Sequence, residues 1–122
     1  MIELIASIVV DLSEQKLYAH TEGGDVHEFV VSTGKASTPT PLMNDVIDNK
    51  HEINDLYGPG YYIKDVPYIM CFRQHEIYCI HPNTTTAPLG APHSMGCVRM
   101  NEEDAGWLFE RTPIETPITV QE

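Results

Sequence analysis

Apolar and polar residues alternate in short stretches along most of this chain, and turn residues break the stretches apart. A period of two over four to eight residues marks a strand with one face buried. Ile2 to Asp11, rich in Ile and Val, predicts a first strand. Leu12-Ser13-Glu14-Gln15 turns the chain, and Lys16 to His20 returns as a second strand. The glycines of Thr21-Glu22-Gly23-Gly24-Asp25 make another turn, and Val26 to Ser32 completes a meander. Val66 to Phe72 and Ile77 to His81 predict a hairpin about Arg73-Gln74-His75-Glu76. Asn101 is a good N-cap ahead of Glu102, Glu103 and Asp104, and Ala105, Leu108 and Phe109 give a short helix one apolar side. Thr112-Pro113 stops that helix, and Pro117 to Val120 reads as a closing strand. Val46 to Gly60 is polar and reads as a solvated face. The expected architecture is mainly β, a sandwich or partly open barrel with one short helix, in a single domain over residues 1–122.

Composition narrows the function. Nine prolines and eight glycines suit many turns and short strands, not a helix bundle. Eighteen acidic residues against seven basic ones give a formal charge of −11. Nucleic-acid binding rests on Lys and Arg contacts to phosphate, so no nucleic-acid partner is expected. The same balance disfavours anionic membrane surfaces. Met1 to Val10 holds no Lys or Arg and only a short apolar run, so neither a signal peptide nor a membrane span is expected there.

Candidate chemistry collects between Ile80 and Met100. His81 ends a predicted strand, a loop rich in Thr, Pro and Gly follows, and Ser94-Met95-Gly96 leads to Cys97. The spacing, 97 − 81 = 16 residues, lets the two meet only if the loop folds back. A free thiol with a pKa near ~8.5 is mostly protonated at neutral pH, and a neighbouring imidazole can take its proton for attack on a carbonyl. Gly96 and Cys97 can offer backbone N–H groups to the resulting oxyanion. A helix starting just after Cys97 would add positive potential that favours the thiolate. The alternative for any one cysteine is a buried structural thiol.

Three cysteines leave at least one unpaired within the chain. Cys71 and Cys79 fall opposite each other if the hairpin centres on His75, so a cross-strand disulfide is possible in register; two buried free thiols are the favoured reading. Zinc on His81, His93, Cys97 and Cys79 would lack the short paired spacings of strong zinc sites. Asp45, Asp48, Glu52 and Asp55 lack the glycine and terminal glutamate of a calcium loop. No metal and no cofactor is expected.

Ser94, Gly96, Cys97, Val98, Arg99 and Met100, with His81 upstream, resemble the active-site signature of the L,D-transpeptidase catalytic domain (the YkuD-like family). Val10 to Tyr18, Val31 to Lys35, Ser37 to Pro41 and Val66 to Phe72 resemble other parts of that domain. Met95 stands where the family usually has His, and Pro82 where Gly or Ser usually follows the histidine. The resemblance implies the family's β-sandwich with a helix beside it. It implies Cys97 as nucleophile and His81 as base, with the Pro82 carbonyl orienting the imidazole. The N–H groups of Met95, Gly96 and Cys97 become oxyanion donors, and Ser94, Arg99 and Tyr68 substrate contacts, with anchoring of the loop the favoured reading for Arg99. The implied substrate is a peptidoglycan tetrapeptide stem. Cys97 would take its acyl group with loss of D-alanine and pass it to an amine. Hydrolysis of the same acyl-enzyme, and a catalytically weakened peptidoglycan-binding module, are the alternatives. The implied setting is the cell envelope; with no signal peptide expected, cytoplasmic production or assisted delivery is the alternative, and a monomer is expected.

Overall fold

The computed structural model describes residues 2–58 and 60–122. Eight strands and one helix follow in the order β1 (Ile5–Asp11), β2 (Lys16–Thr21), β3 (Val26–Ser32), β4 (Met43–Gly58), β5 (Tyr61–Phe72), β6 (Cys79–Pro82), β7 (Val98–Met100), α1 (Glu102–Arg111) and β8 (Pro117–Gln121). The mainly β class with one short helix is the one the alternation implies. Pairing runs β1-β2-β3-β7-β6-β5-β4-β8 and closes on itself. Closure is the work of β8, which pairs parallel with β1 and antiparallel with β4. Its Ile118 and Val120 are buried with Ile8, Val10, Leu17, Val31, Ile47, Phe72, Ile80, Val98 and Met100 in one core.

Of the polar stretch from Val46 to Gly60, the part through Gly58 is strand, not only a solvated face. It belongs to β4, sixteen residues long, which forms a hairpin with β5 from Ile47↔Phe72 out to Gly58↔Tyr61. Near its start Met43, Asp45 and Ile47 alternate inward. Farther out, Glu52, Ile53, Asn54 and Tyr57 are exposed, so the apolar period is missing where the hairpin leaves the core. Pro59, between β4 and β5, lies outside the described residues.

Asn101 caps α1 by accepting from Glu103 N at 2.9 Å and Asp104 N at 3.4 Å, and three acidic residues fill the first turn. Such a cap satisfies amide donors that have no partner inside the helix. Lys50 of β4 donates its ammonium to the carbonyls of Phe109 and Thr112 at the other end. Ala105 and Leu108 are the buried side. The helix begins after β7, so its N-terminus does not stand at Cys97 as a helix directly following the cysteine would.

Candidate active site

The β6–β7 pairing brings the distant residues together. These strands run parallel, in the register Ile80↔Val98, His81↔Arg99 and Pro82↔Met100. A parallel pair needs a long crossover, and the Thr- and Pro-rich loop after Pro82 is that crossover. Side chains on one strand alternate between faces. Ile80, Val98 and Met100 enter the core, so His81, Cys97 and Arg99 share the other face. There Cys97 is packed with Leu56, Ile69, Cys71 and Cys79.

His81 is buried, and its Nδ1 lies 2.7 Å from the Pro82 carbonyl. A carbonyl only accepts, so Nδ1 carries the hydrogen and the neutral ring keeps its free lone pair on Nε2. Burial, aided by the Arg99 charge and opposed by the Pro82 carbonyl, lowers the imidazole pKa to about 4. Burial also pushes the Cys97 thiol up, against the Cys79 N–H, the Tyr61 hydroxyl and Arg99, which favour the thiolate. Both shifts favour the neutral thiol and the neutral imidazole over a standing ion pair.

Cys97 Sγ accepts from Cys79 N at 3.3 Å. Two cavities reach it. One, of about 470 Å³, is walled by Thr38, Pro39, Tyr61, Tyr78, Met95 and Cys97. The other, of about 160 Å³, is walled by Tyr61, His81, Ser94, Met95, Cys97 and Arg99 among others. Tyr61, Met95 and Cys97 line both. A Cβ on Gly60 would sit 3.7 Å from Met95 Cε, so the methionine reaches the end of the β4–β5 hairpin. An apolar thioether there joins hairpin and loop by packing, which an imidazole would do less well.

The loop before Cys97 is held by hydroxyls. Ser94 Oγ donates to Cys97 O at 2.6 Å and accepts from Gly96 N at 3.0 Å. Thr38 donates to Ser94 O at 3.0 Å. Thr40, 3% exposed, donates to Gly96 O at 2.6 Å and accepts from Gly34 N at 2.9 Å. Gly96 has φ +131, and a Cβ on it would lie 2.6 Å from the Tyr78 ring, so the turn needs glycine for both conformation and space. The Gly96 carbonyl and the Cys97 N–H belong to one planar trans peptide and point opposite ways. Thr40 thus fixes where the Cys97 N–H aims.

These contacts revise several residue roles. The Gly96 N–H is engaged by Ser94, so it is not a free oxyanion donor. The Ser94 hydroxyl is engaged within the loop; the residue walls the smaller cavity through the rest of its surface. Tyr68 lines neither cavity. It shares a face of β5 with core residues Met70 and Phe72, and its ring packs on Phe109 of α1 at 5.6 Å between centroids. Arg99 walls the smaller cavity and reaches Thr85 Oγ1 at 3.4 Å and His93 O at 3.5 Å, tying the crossover loop to β7. His93 is exposed. Cys71 and Cys79 form a disulfide, not two free thiols, because the hairpin register sets them directly opposite; Cys97 is the free cysteine. Tyr61 is the site residue the sequence concealed, one tyrosine among several near the hairpin turn.

No helix of the described residues is long and apolar enough to cross a membrane. Among the described residues no group of three His, Cys, Asp or Glu side chains could hold a metal ion.

Comparison with known proteins gives one picture. The chain is 23% identical over 126 aligned residues to a Bacillus subtilis (strain 168) protein named as the L,D-transpeptidase YciB; the match covers 93% of this chain and 64% of that one. An L,D-transpeptidase from Mycobacterium tuberculosis H37Rv superposes with a TM-score of 0.85 at 24% identity, over 95% of this chain and 57% of the other. A cysteine-to-serine mutant of the Enterococcus faecium L,D-transpeptidase gives 0.84 at 26% identity, over 95% and 49%. The chain thus spans less than two thirds of these relatives' length. The family model of the L,D-transpeptidase catalytic domain, YkuD, matches residues 5–120. On that match over nearly its whole length, the chain belongs to the L,D-transpeptidase catalytic domain family.

Proposed function

We propose that this chain is a cysteine acyltransferase that acts on the tetrapeptide stems of peptidoglycan in the cell envelope. The observation that carries the reading is the β6–β7 register, which sets Cys97 and His81 on one face at the wall of one cavity. His81 Nε2 takes the proton of the Cys97 thiol as the sulfur attacks the carbonyl of the L,D peptide bond. With both groups favoured neutral, the proton moves to His81 as the sulfur attacks. The Cys97 N–H, aimed by Thr40, and the hydroxyl of Tyr61, which walls both cavities beside Cys97, support the oxyanion. The Met95 N–H is a further donor. His81 returns its proton to the amine of the departing D-alanine, leaving a thioester. The amine of a second stem then attacks the thioester, His81 removes its proton, and Cys97 is released.

Access from two sides supports transfer over hydrolysis. Cys97 and Tyr61 wall both cavities, so a donor stem in one leaves an approach from the other for an acceptor amine. A hydrolase needs only water on the second side.

Purified tetrapeptide muropeptides incubated with the chain, beside a Cys97→Ala control, test the reading by mass spectrometry. The expected product is a crosslinked dimer that has lost one D-alanine. Tripeptide alone makes the chain a carboxypeptidase. No conversion, with Cys97 inert to thiol reagents, makes it a binding module.

A further inference from the structure

The three cysteines form a row. Cys71 on β5 is directly opposite Cys79 on β6 and bonded to it. The β6–β7 register, carried back one residue from Ile80↔Val98, sets Cys79 beside Cys97. All three side chains belong to one buried cluster, while their neighbours Met70, Ile80 and Val98 belong to the core on the other face. The Cys79 N–H donates to Cys97 Sγ, so the two residues are in direct contact. Neighbouring strands lie about 4.7–4.9 Å apart, and a disulfide needs Cβ atoms about 3.5–4.5 Å apart. A small shift of β7 toward β6 closes that difference.

We propose that Cys79 is a second disulfide partner for Cys97, and that the chain interconverts between two disulfide isomers. A thiolate attacks a disulfide sulfur along the line of the bond that breaks. With Cys97 and Cys71 on either side of Cys79, the row supplies that line. Cys97 gives up its thiol proton to a base, its sulfur attacks Cys79 Sγ, the Cys79–Cys97 bond forms and the Cys71–Cys79 bond breaks. The electron pair passes to Cys71, which takes up a proton and becomes the free thiol. One disulfide and one thiol remain, so no oxidant or reductant is consumed. In the second isomer the nucleophile is capped. Cys71 and Cys79 also wall a separate cavity of about 370 Å³ with Glu76 and Ile77. The pairing rests on the strand row alone; only its effect on turnover rests on the proposed catalytic role of Cys97.

Disulfide mapping tests it. The chain, held without reductant at pH 8, is quenched in acid, unfolded with maleimide, and cut by trypsin and chymotrypsin, which separate the three cysteines at Arg73 and Leu89. Maleimide on Cys71 together with a Cys79–Cys97 peptide pair is expected beside the Cys71–Cys79 form. Label confined to Cys97 overturns the exchange. In a Cys71→Ser variant treated with oxidised glutathione, a Cys79–Cys97 bond is expected, with at least ~10-fold loss of muropeptide turnover that dithiothreitol restores. Mixed glutathione disulfides without the internal bond overturn the proposal. A chain that forms the internal bond but never turns over muropeptides, even reduced, refutes the catalytic reading and leaves the pairing standing.

Discussion

The strands β5, β6 and β7 present two different faces. Toward the core stand Met70, Phe72, Ile80, Val98 and Met100, each no more than 1% exposed. Toward the other side stand Cys71, Cys79, His81, Cys97 and Arg99. The residues alternate along the same few strands, yet one face is uniformly apolar and the other carries the titratable groups of the proposed mechanism, with Tyr61 packed against the same cluster. A slip of one residue would exchange the faces, so burial of Ile80 and Val98 fixes the register that presents His81 and Cys97 together. Stability and chemistry are therefore separable by face, though they share a backbone.

Substitutions should separate them. Cys97→Ala is expected to abolish muropeptide turnover while thermal unfolding keeps a single transition within a few degrees of the parent; lost folding would break the division between faces. Thr40→Val removes the donor that holds the Gly96 carbonyl. Single oxyanion donors are worth ~10²–10³-fold in rate, so acylation should slow by about 10²-fold with little change in KM. Thr40→Ser should recover most of the rate, because it keeps the hydroxyl. A purely structural threonine would lower stability without that split.

Ile80→Ala acts on the other face. A buried Ile→Ala typically costs about 2–5 kcal/mol, and chemical denaturation should show a loss in that range. The fraction that stays folded at low temperature should keep the parent kcat.

A smaller effect is set by pH. An unfolded imidazole titrates near ~6.5, whereas burial holds His81 at about 4. Between those values the unfolded chain binds more protons, so stability rises with pH and is lost as pH falls through that window. The size is about 3 kcal/mol. His81→Gln should flatten the slope of stability between pH 4 and 6.5, and Ile80→Ala should shift the curve without changing its slope. Tyr61→Phe is expected to be the mildest change, a several-fold fall in kcat with the fold intact, read by steady-state kinetics.

The sequence made one face far more legible than the other. Ile and Val alternation and turn glycines reveal β1 to β3, β6 and β8, because those strands bury one face on the core. Much of β4 escapes such reading: its outer part pairs with β5 away from the core, and even its buried start includes a charge. Asp45 is 8% exposed, and its carboxylate accepts from the N–H groups of Gln74 and His75 and meets His75 Nδ1 at 2.8 Å. Those partners come from about thirty positions away, so no local pattern announces that Asp45 faces inward. Within the site, Cys97 and His81 are marked by residue type and surroundings. Thr40 and Thr38 are not, since their hydroxyls act on a loop 56 positions away. Tyr68 shows the opposite case: its period-two match with Met70 and Phe72 is real, but the face it shares is the core. The Cys71–Cys79 pairing is legible as a register, but the residue types favour two buried free thiols where the structure has a disulfide.

The most direct measurement is intact-protein mass spectrometry after rapid acid quench of the chain mixed with a tetrapeptide stem, followed by peptide mapping. The account predicts an adduct equal to the stem less D-alanine, carried on Cys97 and absent from Cys97→Ala. Turnover with no adduct on Cys97, or an adduct on another residue, would contradict it.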